Sequence, residues 1–391
     1  MKLLIVSHVT HFVWEGGVYA YGPYAREIDI WAELFEEIVI AAPCRSQAPP
    51  SDSCRIERGR VRVAPQRELG GESLKEKLAL YLATPAICLD LANEMRKAEA
   101  IHVRCPGNLG LLGALLAPLF SEFLIAKYAG QWMGFPGEEW TVRLQRAILR
   151  SRWWGKPVTV YGDWPGQPKH VISFFTSLLS EAQLAHASRI AETRKFTLPL
   201  TVSYSGRLTR SKNVDKLLKS IAAAAEHGVT FRAVIMGDGP EKSSLQQLAG
   251  RLGIAANVEF TGGISAEAVL TNLERSDIFV LISETEGWPK ALAEAMAFGT
   301  VCIGSERGLI PQFLAEGRGI VVPAGDSSAL TAALLKIAAD PSSCNAMGLA
   351  ASHWARNYSV EKLRDALRDL MIRSWNLTEG RLASPRPVAE N

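Results

Sequence analysis

Two carboxylates, Glu286 and Glu294, lie in the stretch ETEGWPKALAEAMAFG, which directly follows the apolar, strand-like run SDIFVLIS. Pro289 has the fixed φ angle of a first helical residue and needs no N–H there, so a helix is predicted to begin at this position. The free N–H groups and the dipole at that helix start would attract an anion such as phosphate. Carboxylates on both sides of an anion site suit a ligand with hydroxyl groups at its ends and phosphate between them, which is the layout of a nucleotide sugar.

Two cations, Arg207 and Lys212, lie in another loop, SGRLTRSKNVD, which follows the apolar run of LTVSYSG. A guanidinium and an ammonium at a strand end can neutralise the charge that builds on a departing diphosphate. Asn213 is predicted to cap the helix that follows this loop. Each motif alone also fits a simpler interpretation, an acidic helix start or a solvated basic loop. The two motifs together are better explained by a phosphate-containing ligand.

The elements that must position these loops alternate between strand and helix. Short runs rich in Val, Ile and Leu are separated by helical stretches, which indicates strands that are covered on both faces. We therefore predict an α/β protein with two Rossmann-like, doubly wound parallel-sheet domains that face a central cleft. The predicted domains are residues 1–195 and 196–357, followed by an amphipathic helix at about 358–377 and a flexible tail at 378–391.

The spacing of Glu286 and Glu294 resembles the Glu-x7-Glu motif of retaining glycosyltransferases with the GT-B fold, particularly glycosyltransferase family 4, the glycosyl transferases group 1. The resemblance is strongest from about Val202 to Ala329 and looser over the first domain. It implies GT-B architecture, with a nucleoside-diphosphate-sugar donor bound mainly on the second domain and the acceptor on the first. It also implies that the final helix packs back on the first domain.

Carried over to this sequence, the resemblance implies that Glu286 contacts the donor sugar and Glu294 the nucleotide ribose. Arg207 and Lys212 match a Gly-Arg-Leu…Lys segment whose cations clamp the donor diphosphate in the family. With Glu286 they form the predicted catalytic set. The turn between the glutamates is predicted to bind the donor through Gly287, Trp288, Pro289 and Lys290.

Glycine turns provide the remaining predicted donor contacts. One turn, MGDGP, is a weak dinucleotide signature because no third glycine opens the next helix, but the family keeps a similar turn beside the nucleobase. Another follows the first predicted strand and matches the family's N-terminal glycine loop, where a Cβ would obstruct the donor. Ordinary turns fit both places as well. The glycines of these two turns are Gly16, Gly17, Gly237 and Gly239, and Gly262 in the stretch 260–263 is a further candidate for contact with the base and ribose.

The sequence departs from the family at its catalytic histidine. Many members carry a histidine after a strand of the first domain, and the segment FLIAKYAGQW has none at this place. No general base is therefore predicted, and in a front-face reaction the leaving phosphate itself can accept the proton. Histidines elsewhere in the first domain also fit as satisfied core or loop residues. The candidates for the acceptor site are His102, Lys127, Tyr128 and Gln131.

Composition excludes several classes of protein. A net charge of +3 is too small to indicate a nucleic-acid partner, and six cysteines without CxxC spacing indicate free thiols. No Asp-x-Asp and no cluster with metal-ligand spacing is present, which predicts a reaction without metal or other cofactor. The sequence shows no secretion signal and no apolar run of about 18 residues, so the expected location is the cytoplasm.

The segment VRLQRAILRSRWWGK, residues 142–156, leaves two interpretations open. Arginines interleaved with leucine, isoleucine and tryptophan suit the surface of an anionic membrane. The same pattern fits a helix that packs on its own domain. The first interpretation would place the protein at the inner face of the membrane and make the acceptor a lipid-linked sugar.

The predicted function is retaining, metal-independent transfer of a sugar from a nucleoside-diphosphate sugar to a glycan or lipid-linked acceptor in polysaccharide or glycoconjugate biosynthesis. One alternative keeps the fold and loses catalysis: a nucleotide-sugar-binding subunit or regulator. Another is a nicotinamide-dependent oxidoreductase, which would need Gly-x-Gly-x-x-Gly after a first strand and an acidic residue about twenty positions on. Neither feature follows KLLIVS.

Overall fold

The computed structural model describes residues 1–50, 52–67, 74–135, 137–378 and 380–382. The chain forms two compact units. Unit 1 is Met1–Phe175 together with the chain from Lys362 onward, and unit 2 is Thr176–Glu361. Among the described residues, no helix has the length and apolar character needed to cross a membrane.

Unit 1 contains a largely parallel sheet with the strand order β10-β9-β8-β7-β1-β4-β2-β3-β5, and β6 pairs with β4. The parallel strands at its centre are buried on both faces, as predicted for strands covered by helices. The strands are β1 Lys2–Val6, β2 His11–Trp14, β3 Gly17–Tyr21, β4 Glu37–Arg45, β5 Ser53–Arg55, β6 Val61–Gln66, β7 Ala100–Cys105, β8 Phe123–Tyr128, β9 Val158–Tyr161 and β10 Val171–Phe174. The helices are α1 Gly22–Leu34, α2 Leu74–Met95, α3 Asn108–Leu116 and α4 Trp140–Arg150.

Unit 2 contains a fully parallel sheet with the order β13-β12-β11-β14-β15-β16. This order, third-second-first-fourth-fifth-sixth along the unit, is that of a doubly wound nucleotide-binding fold. The strands are β11 Thr201–Ser205, β12 Arg232–Met236, β13 Val258–Gly262, β14 Ile278–Leu281, β15 Val301–Ser305 and β16 Ile320–Val322. The helices are α5 Glu181–Thr193, α6 Val214–Glu226, α7 Lys242–Arg251, α8 Ala266–Arg275, α9 Lys290–Ala297, α10 Ile310–Leu314, α11 Ser327–Ala339 and α12 Cys344–Ala355.

The last helix, α13 (Val360–Trp375), packs on unit 1. The Trp375 indole Nε1 donates to the Leu124 carbonyl at 3.1 Å, and Arg364 pairs with Glu33 at 3.3 Å. The predicted flexible tail, 378–391, lies outside the described residues except for 378 and 380–382.

The division between the units differs from the boundary predicted at residue 195. The chain passes from unit 1 to unit 2 after Phe175, so that α5 belongs to unit 2. This helix packs on α9 and α12, and a Ser180 capping box fixes its start. A sequence pattern shows that α5 is a helix but not which sheet it covers.

Unit 1 also contains a hairpin where the sequence predicted a strand-to-helix turn. β2 and β3 pair antiparallel, and β3 pairs antiparallel with β5. Glu15 and Gly16 form the hairpin turn with φ of 46° and 72°, and Gly17 begins β3. Positive φ at both central residues is the geometry that matches a two-residue turn to twisted strands. The first predicted glycine site is therefore a hairpin tip.

Candidate active site

The two chemical motifs follow neighbouring strands of unit 2. β11 and β14 pair in parallel at the point where the strand order reverses. In doubly wound sheets the connections leave in opposite directions there and open a crevice at the carboxyl ends of the strands. The loop 206–213 follows β11, and the loop 282–289 follows β14. The Glu284 N–H donates to the Ser211 carbonyl at 2.9 Å, which ties the two loops together.

Lys212 and Glu286 form an ion pair within this crevice. The Lys212 Nζ donates to Glu286 Oε1 at 2.5 Å, and the two side chains are 24% and 13% exposed. A charge-assisted hydrogen bond between partly shielded groups is stronger than one in water. The structure therefore brings together two members of the predicted catalytic set from positions 74 residues apart.

Arg207 occupies the same loop as Lys212 but presents an exposed side chain. Across the described part of the chain, its guanidinium has no hydrogen bond or ion pair with the protein. The Tyr204 hydroxyl donates to the Arg207 carbonyl at 3.2 Å and so holds the backbone at this point. Burial, and secondarily the negative charge of Glu286, raise the pKa of Tyr204 well above its usual value, so this hydroxyl keeps its proton.

Asn213 is a site residue whose role the sequence did not reveal. It stands at the start of α6 with φ 55° and ψ 31°, but its side chain does not cap that helix. Its Nδ2 instead donates to the Ile282 carbonyl at 3.0 Å and to Glu284 Oε1 at 2.7 Å. Asparagine tolerates the left-handed region better than most residues, and this conformation turns its amide toward the neighbouring loop. Asn213 and Glu284 thus fix the geometry of the Lys212–Glu286 pair.

The glycines of the MGDGP turn permit this turn to pack closely against the loop 206–213. A Cβ on Gly237, where φ is 142°, would lie 2.0 Å from the Gly206 carbonyl oxygen. One on Gly239, where φ is 157°, would lie 2.3 Å from the Leu208 carbonyl oxygen. Gly262 has a φ of 72° and accepts a hydrogen bond from the Gly237 N–H at 2.9 Å. These glycines have a packing role, and their predicted donor contacts stay predictions.

The helix after the acidic turn begins one residue later than predicted. Pro289 is the N-cap of α9, with ψ 81°, because its carbonyl accepts the first helical hydrogen bonds from Leu292 and Ala293. Gly287 lies in the turn before it and is half-buried. The prediction that Pro289 is the first helical residue is wrong by this one position, and Lys290 takes that place.

Trp288 packs inside unit 2. Its ring centroid lies 4.7 Å from Phe313, 5.2 Å from Tyr358 and 6.4 Å from Trp354. The edge-on contacts with Phe313 and Tyr358 are favourable aromatic geometries. The structure thus gives this indole a packing role, while its contact with a donor remains a prediction.

Glu294 lines a pocket within unit 2. Trp288, Lys290, Tyr358 and the segment 176–179 also line it, together with Leu184, Ala293 and Ala355. The described lining residues do not include the Lys212–Glu286 pair. The two glutamates of the motif therefore have different surroundings. Glu286 contacts a cation, and Glu294 lines a pocket of polar, aromatic and aliphatic residues.

Three of the four acceptor candidates are engaged in the core of unit 1. Lys127 pairs with Glu27 at 2.9 Å, and Arg104 also donates to both oxygens of Glu27 at 3.1 Å. His102 stacks on Trp31 with a centroid distance of 4.6 Å, and burial lowers its pKa to about 3.

The other two candidates lie at the end of β8, where Tyr128 is the last residue of the strand. The Tyr128 hydroxyl accepts a hydrogen bond from Arg146 at 3.3 Å and is shielded within the core. Gln131 lies just beyond β8 and is half-buried. Within the residues that the structure describes, no group of three His, Cys, Asp or Glu side chains could hold a metal ion. The acceptor assignments and metal independence stay predictions.

Comparison with solved structures identifies the class of fold. Sucrose-phosphate synthase from Thermosynechococcus elongatus matches with a TM-score of 0.70 over 97% of this chain and 100% of its own, at 18% identity. Anabaena HepE, solved with UDP and glucose, matches with a TM-score of 0.68 over 94% and 98%, at 15% identity. Similarity at this identity is one of fold, and the predicted GT-B class is confirmed.

Comparison of sequences identifies the family of the second half. The model of the family "Glycosyl transferases group 1" matches residues 188–354, and this segment is a domain of that family. A GDP-mannose-dependent alpha-(1-6)-phosphatidylinositol monomannoside mannosyltransferase of Mycolicibacterium smegmatis is 33% identical over 165 residues. The match covers 40% of this chain and 43% of that protein, so the chain spans less than half the length of this curated relative.

Proposed function

We propose that this protein is a retaining, metal-independent glycosyltransferase that moves a sugar from a nucleoside-diphosphate sugar to a glycan or lipid-linked acceptor. The observation that carries the proposal is the contact between Lys212 and Glu286. It joins the cationic and acidic motifs at the switch point of a doubly wound sheet, where such folds bind nucleotides. The products would serve polysaccharide or glycoconjugate biosynthesis.

The residues divide the chemistry among them. Arg207 and Lys212 stabilise the negative charge that grows on the diphosphate as the bond from the sugar C1 to the phosphate oxygen breaks. Glu286 accepts hydrogen bonds from the sugar hydroxyls, and Glu294 from the ribose. The acceptor oxygen bonds to C1 on the same face, and its proton passes to the departing diphosphate. The cations perform the charge neutralisation that a metal ion performs elsewhere.

The relatives suggest which donors to test. The name of the M. smegmatis protein specifies GDP-mannose, and HepE was solved with UDP and glucose. A thermal-shift panel of uridine and guanosine diphosphates and their sugars should show stabilisation by one base, because a ligand that binds the folded state raises its melting temperature. A donor that binds and is turned over with acceptor extracts supports catalysis. Binding without turnover would favour the catalytically silent subunit.

Glu294→Ala is expected to weaken binding of the nucleoside diphosphate by about 1.5 to 3 kcal/mol, the range for hydrogen bonds to a charged group. Calorimetric titration of the wild type and the variant measures this loss. Glu226→Ala is the matched control, since Glu226 is exposed at the far end of α6. Unchanged affinity in Glu294→Ala would contradict the ribose assignment.

We also propose peripheral contact with an anionic membrane surface through α4. One side of this helix, where residues recur at intervals of three and four, is exposed and carries Trp140 (71% exposed), Leu144 (38%), Arg143 and Arg150. Trp153, three residues beyond the end of α4, is 48% exposed. Exposed tryptophans beside arginines suit the boundary between lipid headgroups and acyl chains. This surface supports a lipid-linked acceptor.

Arg150, the last residue of α4, and Arg152, two residues beyond it, are both exposed. Arg150→Gln combined with Arg152→Gln is expected to weaken binding to phosphatidylglycerol vesicles by about 2 kcal/mol, at about 1 kcal/mol for each cation near an anionic surface. Co-sedimentation with these vesicles measures the change. The matched control, Arg60→Gln with Arg67→Gln, removes two exposed arginines elsewhere in unit 1. Equal losses in the two double variants would show that net charge, rather than α4, controls the association.

A further inference from the structure

The cation predicted to hold the diphosphate is already bound to the carboxylate predicted to hold the sugar. Lys212 Nζ lies 2.5 Å from Glu286 Oε1, and neither side chain is more than a quarter exposed. Arg207 differs, since its guanidinium has no protein partner among the described residues. In the proposed function, a diphosphate must therefore take Lys212 away from Glu286 or share it.

The pair is fixed by the backbone on both sides. Asn213 donates to the Ile282 carbonyl and to Glu284, and the Glu284 N–H donates to the Ser211 carbonyl. Behind Glu286, the backbone of Gly308 approaches so closely that a Cβ there would lie 2.1 Å from the Glu286 carbonyl oxygen. Two long side chains on tethered loops lose less freedom on pairing than two on mobile loops. The ion pair between Lys212 and Glu286 is therefore held in place by the backbone of both loops.

We infer that Glu286 makes the site select an intact nucleotide sugar over the free nucleoside diphosphate, an inference that rests on the proposed function. An intact donor satisfies both members of the pair: the diphosphate binds Lys212, and the sugar hydroxyls donate to Glu286. A free nucleoside diphosphate takes the cation and leaves a shielded carboxylate without its partner. Such a group loses a strong hydrogen bond with no replacement. Glu286 thus disfavours the product and promotes its release.

The test is the affinity of Glu286→Gln for UDP and GDP, measured by calorimetry with the nucleotide that binds the wild type. The amide keeps the size of the carboxylate and one acceptor oxygen, but it carries no charge and does not neutralise Lys212. We expect nucleoside-diphosphate binding to tighten on the order of tenfold, because the nucleotide no longer has to break the ion pair between Lys212 and a charged Glu286. If Glu286 acted only by binding the sugar hydroxyls, Glu286→Gln would leave the affinity for the free nucleotide unchanged, because the free nucleotide carries no donor sugar. A gain in affinity also cannot result from misfolding.

Two controls separate the pair from the general field. Glu226→Gln removes an exposed carboxylate at the far end of α6, outside the candidate site, and it should leave the affinity nearly unchanged. In a Lys212→Gln background, Glu286→Gln should no longer tighten binding. Unchanged or weaker binding by Glu286→Gln, or equal tightening in either control, overturns the inference while the proposed function stands. If the wild type binds neither nucleotides nor nucleotide sugars, both are overturned.

Discussion

Arg207→Ala is expected to lower kcat about 100- to 1000-fold, the scale for removing one group that stabilises charge in a transition state. Donor KM should change much less, because the exposed guanidinium is proposed to act on charge that develops as the diphosphate departs. The structure holds the Arg207 backbone through Tyr204 and gives its side chain no protein partner among the described residues. Steady-state kinetics with the donor found by the binding panel measures the two constants.

Arg210→Ala is the matched control for this prediction. Arg210 is also exposed and lies three residues further along the same loop. Arg210 is not one of the predicted site residues, so kcat of Arg210→Ala should stay within a few-fold of the wild type. Parallel losses of kcat and donor affinity in Arg207→Ala would show that Arg207 only anchors the substrate.

Gly237→Ala is expected to destabilise the protein by about 3 kcal/mol, from backbone strain and overpacking together. The added Cβ would meet the Gly206 carbonyl oxygen at 2.0 Å, and φ of 142° is unfavourable for alanine. The loop that carries Arg207 would have to move, so nucleotide binding should also weaken. Denaturant unfolding followed by tryptophan fluorescence measures the stability.

A glycine in an open helical position provides the comparison. Gly250 lies in α7, and a Cβ added at this position would have no atom of another part of the chain within 4 Å. Gly250→Ala should therefore stabilise the protein by about 0.5 to 1 kcal/mol through helix propensity. Stability of Gly237→Ala equal to the wild type would contradict the packing role of the MGDGP turn.

The sequence predicted the sheet of unit 2 because its central strands β11, β14 and β15 are buried on both faces. A run such as that of β14, Ile278–Leu281, is apolar throughout and is followed by a helix, which is the local pattern of a doubly wound fold. The pairing of β11 with β14 then brings the two motifs to one end of the sheet. The fold class, and the closeness of the cationic and acidic motifs, could therefore be predicted from local sequence patterns together with the family resemblance.

The contacts that complete the site were not accessible in this way. Asn213 binds Ile282 across 69 residues, and Arg104 binds Glu27 across 77, and no local pattern encodes such a pairing. The hairpin of β2 and β3 was missed because the strands are short, although Glu15 and Gly16 supply its turn. The assignment of α5 to unit 2 depends on packing against α9 and α12.

The central claim is that the cations of the loop 206–213 and the glutamates at 286 and 294 bind one activated sugar. A crystal structure of the protein with the nucleotide sugar that stabilises it most tests this directly. The account predicts diphosphate oxygens within hydrogen-bond distance of Arg207 and Lys212, with the ribose on Glu294 and the sugar on Glu286. A donor bound elsewhere, with these four side chains away from it, would contradict the account.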